Sequence, residues 1–149
     1  MLKIITGKIN SFKTTRMNKL YDQFKKGDGY VSLKKMKKDR VLYYELMNLQ
    51  TRKKQIFIIN TDNHPNYFKE FETLGPYVFD LEYLKEVEDH IKQLIDYQIE
   101  PIYLDEIGIL EAQEKFFSNS LKLLIDSGLD VYITVRESLV EKIIEVYNI

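Results

Sequence analysis

With 149 residues, 44% of them hydrophobic and 30% charged, the chain is long enough to fold as one compact domain around a real core. A net charge of −1 gives no electrostatic case for nucleic acid, and no segment approaches the roughly 20 apolar residues that span a bilayer. The absence of cysteine excludes disulfides, thiolate metal sites and a cysteine nucleophile. The N-terminal apolar run is too short for a signal peptide, so a cytoplasmic location is expected.

Leu2 to Thr6 is apolar and β-branched and runs into Gly7, as a buried strand entering a turn does. From Thr14 the spacing turns helical, with Met17, Leu20, Tyr21 and Phe24 on one face, until Gly27 and Gly29 stop it. Gly29 to Leu33, Arg40 to Leu49 and Gln55 to Asn60 read as three strands. The short spacing between the last two predicts an antiparallel hairpin. Lys34, Lys35, Lys37, Lys38 and Arg40 form a basic run, continued by Arg52, Lys53 and Lys54, that reads either as solvated hairpin turns or as a patch for an anionic ligand or partner. Thr61 to Gly75 reads as an irregular loop.

A second amphipathic helix is predicted over Leu81 to Gln98 on Leu84, Val87, Ile91, Leu94 and Ile95. After Pro101 comes the apolar run Ile102-Tyr103-Leu104, closed by Asp105 and Glu106. A third helix is predicted from Gln113 to Ser127, a strand over Val131 to Val135, and a last helix from Leu139 to Tyr147. Strands alternating with helices at this spacing predict a single α/β domain over residues 1–149. Its sheet would be mainly parallel and covered on both faces, with an antiparallel β insert at about residues 29–60.

Two segments carry chemistry. Gly7-Lys8-Ile9-Asn10-Ser11-Phe12-Lys13-Thr14-Thr15 lies between a strand and a helix, the setting of the phosphate-binding pattern G-x-x-x-x-G-K-[ST]. In such a loop the successive backbone N–H groups and the helix N-terminus cradle phosphates. The lysine reaches the outer phosphates, and the threonine hydroxyl is a Mg²⁺ ligand. Phe12 stands where the second glycine is usual, and a Cβ resists the backbone conformation that glycine supplies there. Ile102 to Glu106 has the form of the matching Walker B strand, in which Asp105 assists Mg²⁺ and Glu106 prepares the attacking water.

On these residues the chain resembles the small P-loop nucleoside-triphosphatases of archaea and bacteria, with a RecA-like fold. The resemblance rests on Ile4-Ile5-Thr6-Gly7, Lys13-Thr14-Thr15, Gly75-Pro76-Tyr77-Val78-Phe79-Asp80, Tyr103-Leu104-Asp105-Glu106-Ile107-Gly108 and Asp130-Val131-Tyr132-Ile133-Thr134-Val135-Arg136. It implies a three-layer α/β/α architecture and hydrolysis of ATP or GTP with Mg²⁺. It also implies a phosphate cradle from Gly7 to Thr15, metal ligation by Thr14 and Asp105, and catalytic roles for Lys13, Glu106 and Arg136. Phe12, and Asn10 where glycine is frequent, depart from that pattern, so impaired hydrolysis is part of the expectation.

Two alternatives stay open: an inactive P-loop-fold binding or regulatory protein, and a phosphotransferase acting on a small molecule or nucleotide. The second needs an acceptor pocket, for which the Tyr-rich insert and Lys34–Arg40 are the candidates. His64 and His90 lack partners at zinc-ligand spacing and read as surface residues, and no serine lies in a G-x-S-x-G context. A protein partner is neither implied nor excluded.

Overall fold

The computed structural model describes residues 1–8, 11–60 and 67–149. Its elements run β1 (Leu2–Gly7), α1 (Lys13–Phe24), β2 (Asp28–Lys37), β3 (Arg40–Asn48), β4 (Lys54–Asn60), β5 (Phe71–Leu74) and β6 (Tyr77–Asp80). They continue α2 (Leu81–Asp96), β7 (Ile102–Ile107), α3 (Ile109–Ala112), α4 (Ser118–Ser127), β8 (Val131–Arg136) and α5 (Val140–Tyr147).

The eight strands form one sheet in the order β1-β8-β7-β2-β3-β4-β6-β5. The first four are mutually parallel, as crossover helices require, and from β2 outward every pairing is antiparallel. Alternation along the strands sends side chains to two faces. Ile102, Leu104, Val131, Ile133 and Val135 face α2, α4 and α5, whose Ile91, Leu121, Leu124 and Ile143 complete the larger core. Val31, Met47, Tyr103 and Tyr132 face the other way and pack on Met17 of α1. The result is α/β with helices on both faces.

Several boundaries moved, each for a local reason. Residues 61–66 of the expected loop lie outside the described residues. Beyond them, Phe71–Leu74 and Tyr77–Asp80 form a hairpin about the Gly75-Pro76 turn, and the hairpin extends the antiparallel half of the sheet. The period-two signal was weak there because all four residues of β5 are exposed. The third long helix starts five residues later than expected, at Ser118, because Glu114 and Phe116 adopt left-handed backbone angles that interrupt it. β2 runs on to Lys37, so Lys34, Lys35 and Lys37 are strand residues and the turn holds only Lys38 and Asp39. His90 is half-buried and bonds to Tyr30 through Nδ1 at 2.5 Å, with Nε2 3.4 Å from Asp28, so it is not a bland surface residue.

Gly29 fixes how the antiparallel half joins the parallel half. Its φ of 154° and its closeness to β7 leave no space for a side chain, since a Cβ would lie 2.0 Å from the Tyr103 carbonyl oxygen. Gly29→Ala is therefore expected to cost at least about 2 kcal/mol of stability, read as a lowered urea midpoint.

Candidate functional site

β1 ends at Gly7, and the chain returns to the sheet as α1. Gly7 is closely approached by side chains, since a Cβ there would sit 2.2 Å from Ser11 Oγ and 2.9 Å from Arg16 Nη2, both of which would have to shift. Arg16 in turn donates to the Thr6 carbonyl at 2.6 Å, which ties the first turn of α1 to the end of β1. Phe12 has φ 61° and ψ 34°, a left-handed conformation that suits glycine, and its ring is 74% exposed. The expected conflict is thus resolved in favour of the backbone: the chain keeps the turn, and the ring points outward.

The N-terminus of α1 carries no side-chain cap and no acidic residue in its first turn. Its N–H groups and the positive end of its dipole remain suited to an anion. Lys13 Nζ reaches back across the loop to donate to the Lys8 carbonyl at 3.0 Å. Ser11 Oγ is buried with no hydrogen-bond partner among the described residues. Ile9 and Asn10, two of the expected phosphate-cradle residues, lie outside the described residues. Thr15 follows Thr14 on α1, and Lys8 closes the strand side of the loop.

Asp105, near the carboxyl end of β7, is buried, and donors from three other elements converge on it. Thr14 Oγ1 donates to Oδ2 at 2.6 Å, although 91 residues separate the two in sequence. Ser32 N of β2 donates to the same oxygen at 3.0 Å, and Thr134 Oγ1 of β8 donates to Oδ1 at 2.5 Å. Thr134 also accepts from Glu106 N at 2.8 Å, so one hydroxyl aligns both acids. Burial pushes the Asp105 carboxyl above the usual carboxylate range, and the hydrogen bonds from Thr134, Thr14, Ser32 and Glu106 pull it back.

Glu106 sits where the β7–β8 register shifts between Leu104 and Ile107, and its φ is 65°. This bulge breaks the strand alternation and turns Glu106 into the adjoining cavity. Burial and the charge of Asp105 raise its pKa, against the opposing charges of Lys34, Lys13 and Arg136. Those three cations come from β2, α1 and β8.

Five of the expected site residues, Lys13, Thr14, Asp105, Glu106 and Arg136, are thus gathered at one end of the sheet. The geometry adds Ser32 and Thr134, which the sequence did not point to, and brings in Lys34 and Tyr44 from the basic run and Tyr-rich insert expected to form an acceptor pocket. Thr134 had a readable signal, as a polar residue inside the apolar run Val131-Tyr132-Ile133-Thr134-Val135. Lys34 was marked only as one of five basic residues in a row of seven, with nothing to single it out.

Hard oxygen donors suit Mg²⁺, and the Thr14 hydroxyl and Asp105 carboxylate are already in contact. Among the described residues no group of three or more His, Cys, Asp or Glu side chains could hold a metal alone.

A family model described as NTPase matches residues 3–148. The chain belongs to the NTPase family. Its fold is similar to the crystal structure of THEP1 from the hyperthermophile Aquifex aeolicus, with a TM-score of 0.70 and 21% identity over 99% of this chain and 84% of that one. It is also similar to the solution structure of a human cancer-related nucleoside triphosphatase, with a TM-score of 0.64 and 16% identity over 96% and 82% of the two chains. Comparison with curated proteins gives no match. The fold, a nucleotide-binding P-loop NTPase type, agrees with the resemblance drawn from the loop and the β7 acids.

Two features of the site have stability consequences. Phe12→Gly should raise stability by about 1 kcal/mol, since it removes the left-handed penalty of a residue with a Cβ; the urea midpoint at unchanged m reports it. Glu111, in α3, is buried and accepts from Gly108 N at 2.8 Å and Phe117 N at 3.2 Å, and burial raises its pKa from 4.5 to about 7. A raised carboxyl binds more protons folded than unfolded, so stability falls as pH rises from about 4.5 to about 7 and is flat above. The Glu111 contribution is at most about 3 kcal/mol. Urea midpoints across that window should show a shallower decline in Glu111→Gln than in the natural chain.

Proposed function

We propose that this chain binds a nucleoside triphosphate, ATP or GTP, along the Gly7–Thr15 loop and hydrolyses it with Mg²⁺. The observation that carries this is the Thr14–Asp105 contact, with Lys13, Lys34 and Arg136 around Glu106 beside it. In this reading the α1 N-terminus and Lys13 hold the phosphates, and Ser11 Oγ supplies a donor to them. Thr14 and Asp105 would hold Mg²⁺, which when bound neutralises charge on the outer phosphates.

Glu106 takes the proton from the attacking water, and Arg136 stabilises charge on the transferred phosphoryl group. Lys34, on the opposite side of Glu106 in the sheet order, shares that task. Catalysis of this kind is positioning and charge stabilisation, so it depends on loop shape. Because Phe12 already holds a left-handed backbone, the loss of turnover at that position is small in this reading.

Phosphate release from Mg·ATP and Mg·GTP by the natural chain, Glu106→Gln and Phe12→Gly checks these assignments. Glu106→Gln should lower kcat by about 10²-fold or more, with nucleotide affinity retained. Phe12→Gly should raise kcat by no more than about tenfold. Absence of nucleotide binding at millimolar concentration would sink the reading altogether. A gain far above tenfold on Phe12→Gly would mean that the phenylalanine distorts the loop after all.

A further inference from the structure

A hydrolase needs room for one attacking water, whose share of liquid volume is about 30 Å³. The space in front of Glu106 is far larger. A cavity of about 490 Å³ begins at Lys13, Asp105, Glu106 and Arg136 and continues across the sheet beneath α3. That is within the range of pockets that bury a small organic molecule. Its far wall is aromatic: Phe57 of β4 stacks on Phe116 at 5.8 Å and 23°, and Tyr44 of β3 meets Tyr77 of β6 edge-on at 6.0 Å. From β7, which carries the acids, to β4 is three strand spacings, about 14 Å. Tyr44 lies between the two ends, lining the same cavity as Glu106 and Arg136 and meeting Tyr77 edge-on.

We infer that this cavity binds a second substrate, a hydroxyl-bearing aromatic molecule of nucleoside size, which accepts the γ-phosphoryl group in place of water. The inference rests on the nucleotide site proposed above and names the other reactant of that site. Aromatic walls suit a flat heterocycle, which stacks on them through its π-face. The polar end of the cavity presents the acid and cations that a hydroxyl nucleophile needs. Aromatic lining at one end and convergent charged groups at the other orient such a molecule with its hydroxyl toward Glu106.

In the transfer step the acceptor hydroxyl oxygen forms a bond to the γ-phosphorus, and the bond from that phosphorus to the β,γ-bridging oxygen breaks. The hydroxyl proton passes to Glu106. The nucleoside diphosphate leaves with the electron pair of the broken bond, and the acceptor leaves as its monophosphate ester. Water reacting at the same phosphorus is then the side reaction seen when the aromatic cavity has no acceptor in it.

The natural chain is incubated with Mg²⁺ and γ-labelled ATP, alone and with adenosine, guanosine, cytidine, uridine or thymidine at millimolar concentration. Label in a nucleoside monophosphate, at ten times or more the rate of phosphate release without acceptor, supports the inference. Tyr77→Leu should then raise the acceptor KM tenfold or more while changing kcat less than threefold. Equilibrium binding of the same nucleosides to the natural chain with Mg²⁺ and a non-hydrolysable ATP analogue gives a readout independent of that variant's folding. Phosphate release with neither labelled monophosphate nor nucleoside binding at 10 mM overturns the acceptor site and leaves the hydrolase reading standing. Loss of affinity for the ATP analogue itself in Tyr77→Leu, with no effect on transfer, overturns it too, because the cavity would then hold the nucleotide's own base. If the analogue does not bind the natural chain at all, both readings fail together.

Discussion

The buried carboxylate of Asp105 is the constraint on which the arrangement depends. A carboxylate taken out of water must find donors, and this one finds them on three separate elements: Thr14 of α1, Ser32 of β2 and Thr134 of β8. Satisfying one side chain therefore fixes how α1 lies across the sheet and how the ends of β2, β7 and β8 are aligned. β1, which leads into the Gly7–Thr15 loop, pairs with β8 and is two places away from β7 in the sheet. The loop and the acids meet because α1 crosses back over the parallel strands, with Met17 buried against Tyr103 and Tyr132. The same hydrogen bonds that make the burial tolerable bring the Thr14 hydroxyl and the Asp105 carboxyl together.

Two of the nine left-handed non-glycine residues among the described residues lie beside that carboxylate. Phe12 and Glu106 both hold left-handed backbone angles, at φ 61° and 65°, where a side chain with a Cβ is disfavoured by about 1–2 kcal/mol. In each case the surroundings over-determine the conformation. Phe12 is held between the Lys8–Ser11 turn and the start of α1, whose Arg16 N donates to its carbonyl at 2.9 Å. Glu106 is held by its N–H on Thr134 and by the bulge that restores pairing at Ile107. Non-glycine residues kept in such regions gather where a side chain or a row of amides has to face a ligand.

Most of what could be read from sequence was what periodicity encodes. The α1 face, the α2 face and the apolar runs of β1, β7 and β8 gave their elements, and the loop and acids gave the two ends of the site. What could not be read was pairing at a distance. Nothing in Lys34 separates it from Lys35 or Lys38, and only the run of β2 beside β7 brings it to Glu106. β5 was missed because an exposed edge strand has no buried face to impose alternation. The late start of α4 was missed because Phe116 and Phe117 fit a helical stripe, whereas left-handed turns at Glu114 and Phe116 put both rings into the core from a loop. The outcome at Phe12 also lay beyond sequence, since glycine's usual role there says what is easy for the backbone and not what tertiary contacts can enforce.

The antiparallel half of the sheet alters what the acids can do. If β2 were the last strand, the sheet surface beside Glu106 would end there. Instead β3, β4 and β6 carry the sheet surface onward and line it with Tyr44, Phe57 and Tyr77. The segment after β7 turns over that surface, anchored by Glu111 on Gly108 N and Phe117 N and by Tyr147 on the Glu111 carbonyl. A floor from one part of the chain and a roof from another enclose volume next to a charged centre at the expense of burying Glu111. The roof also accounts for the short α3: four helical residues suffice to carry the chain over the cavity mouth while leaving Ile109 exposed at its rim. Floor, roof and charged end thus belong to one device, in which the insert supplies shape and the parallel strands supply chemistry.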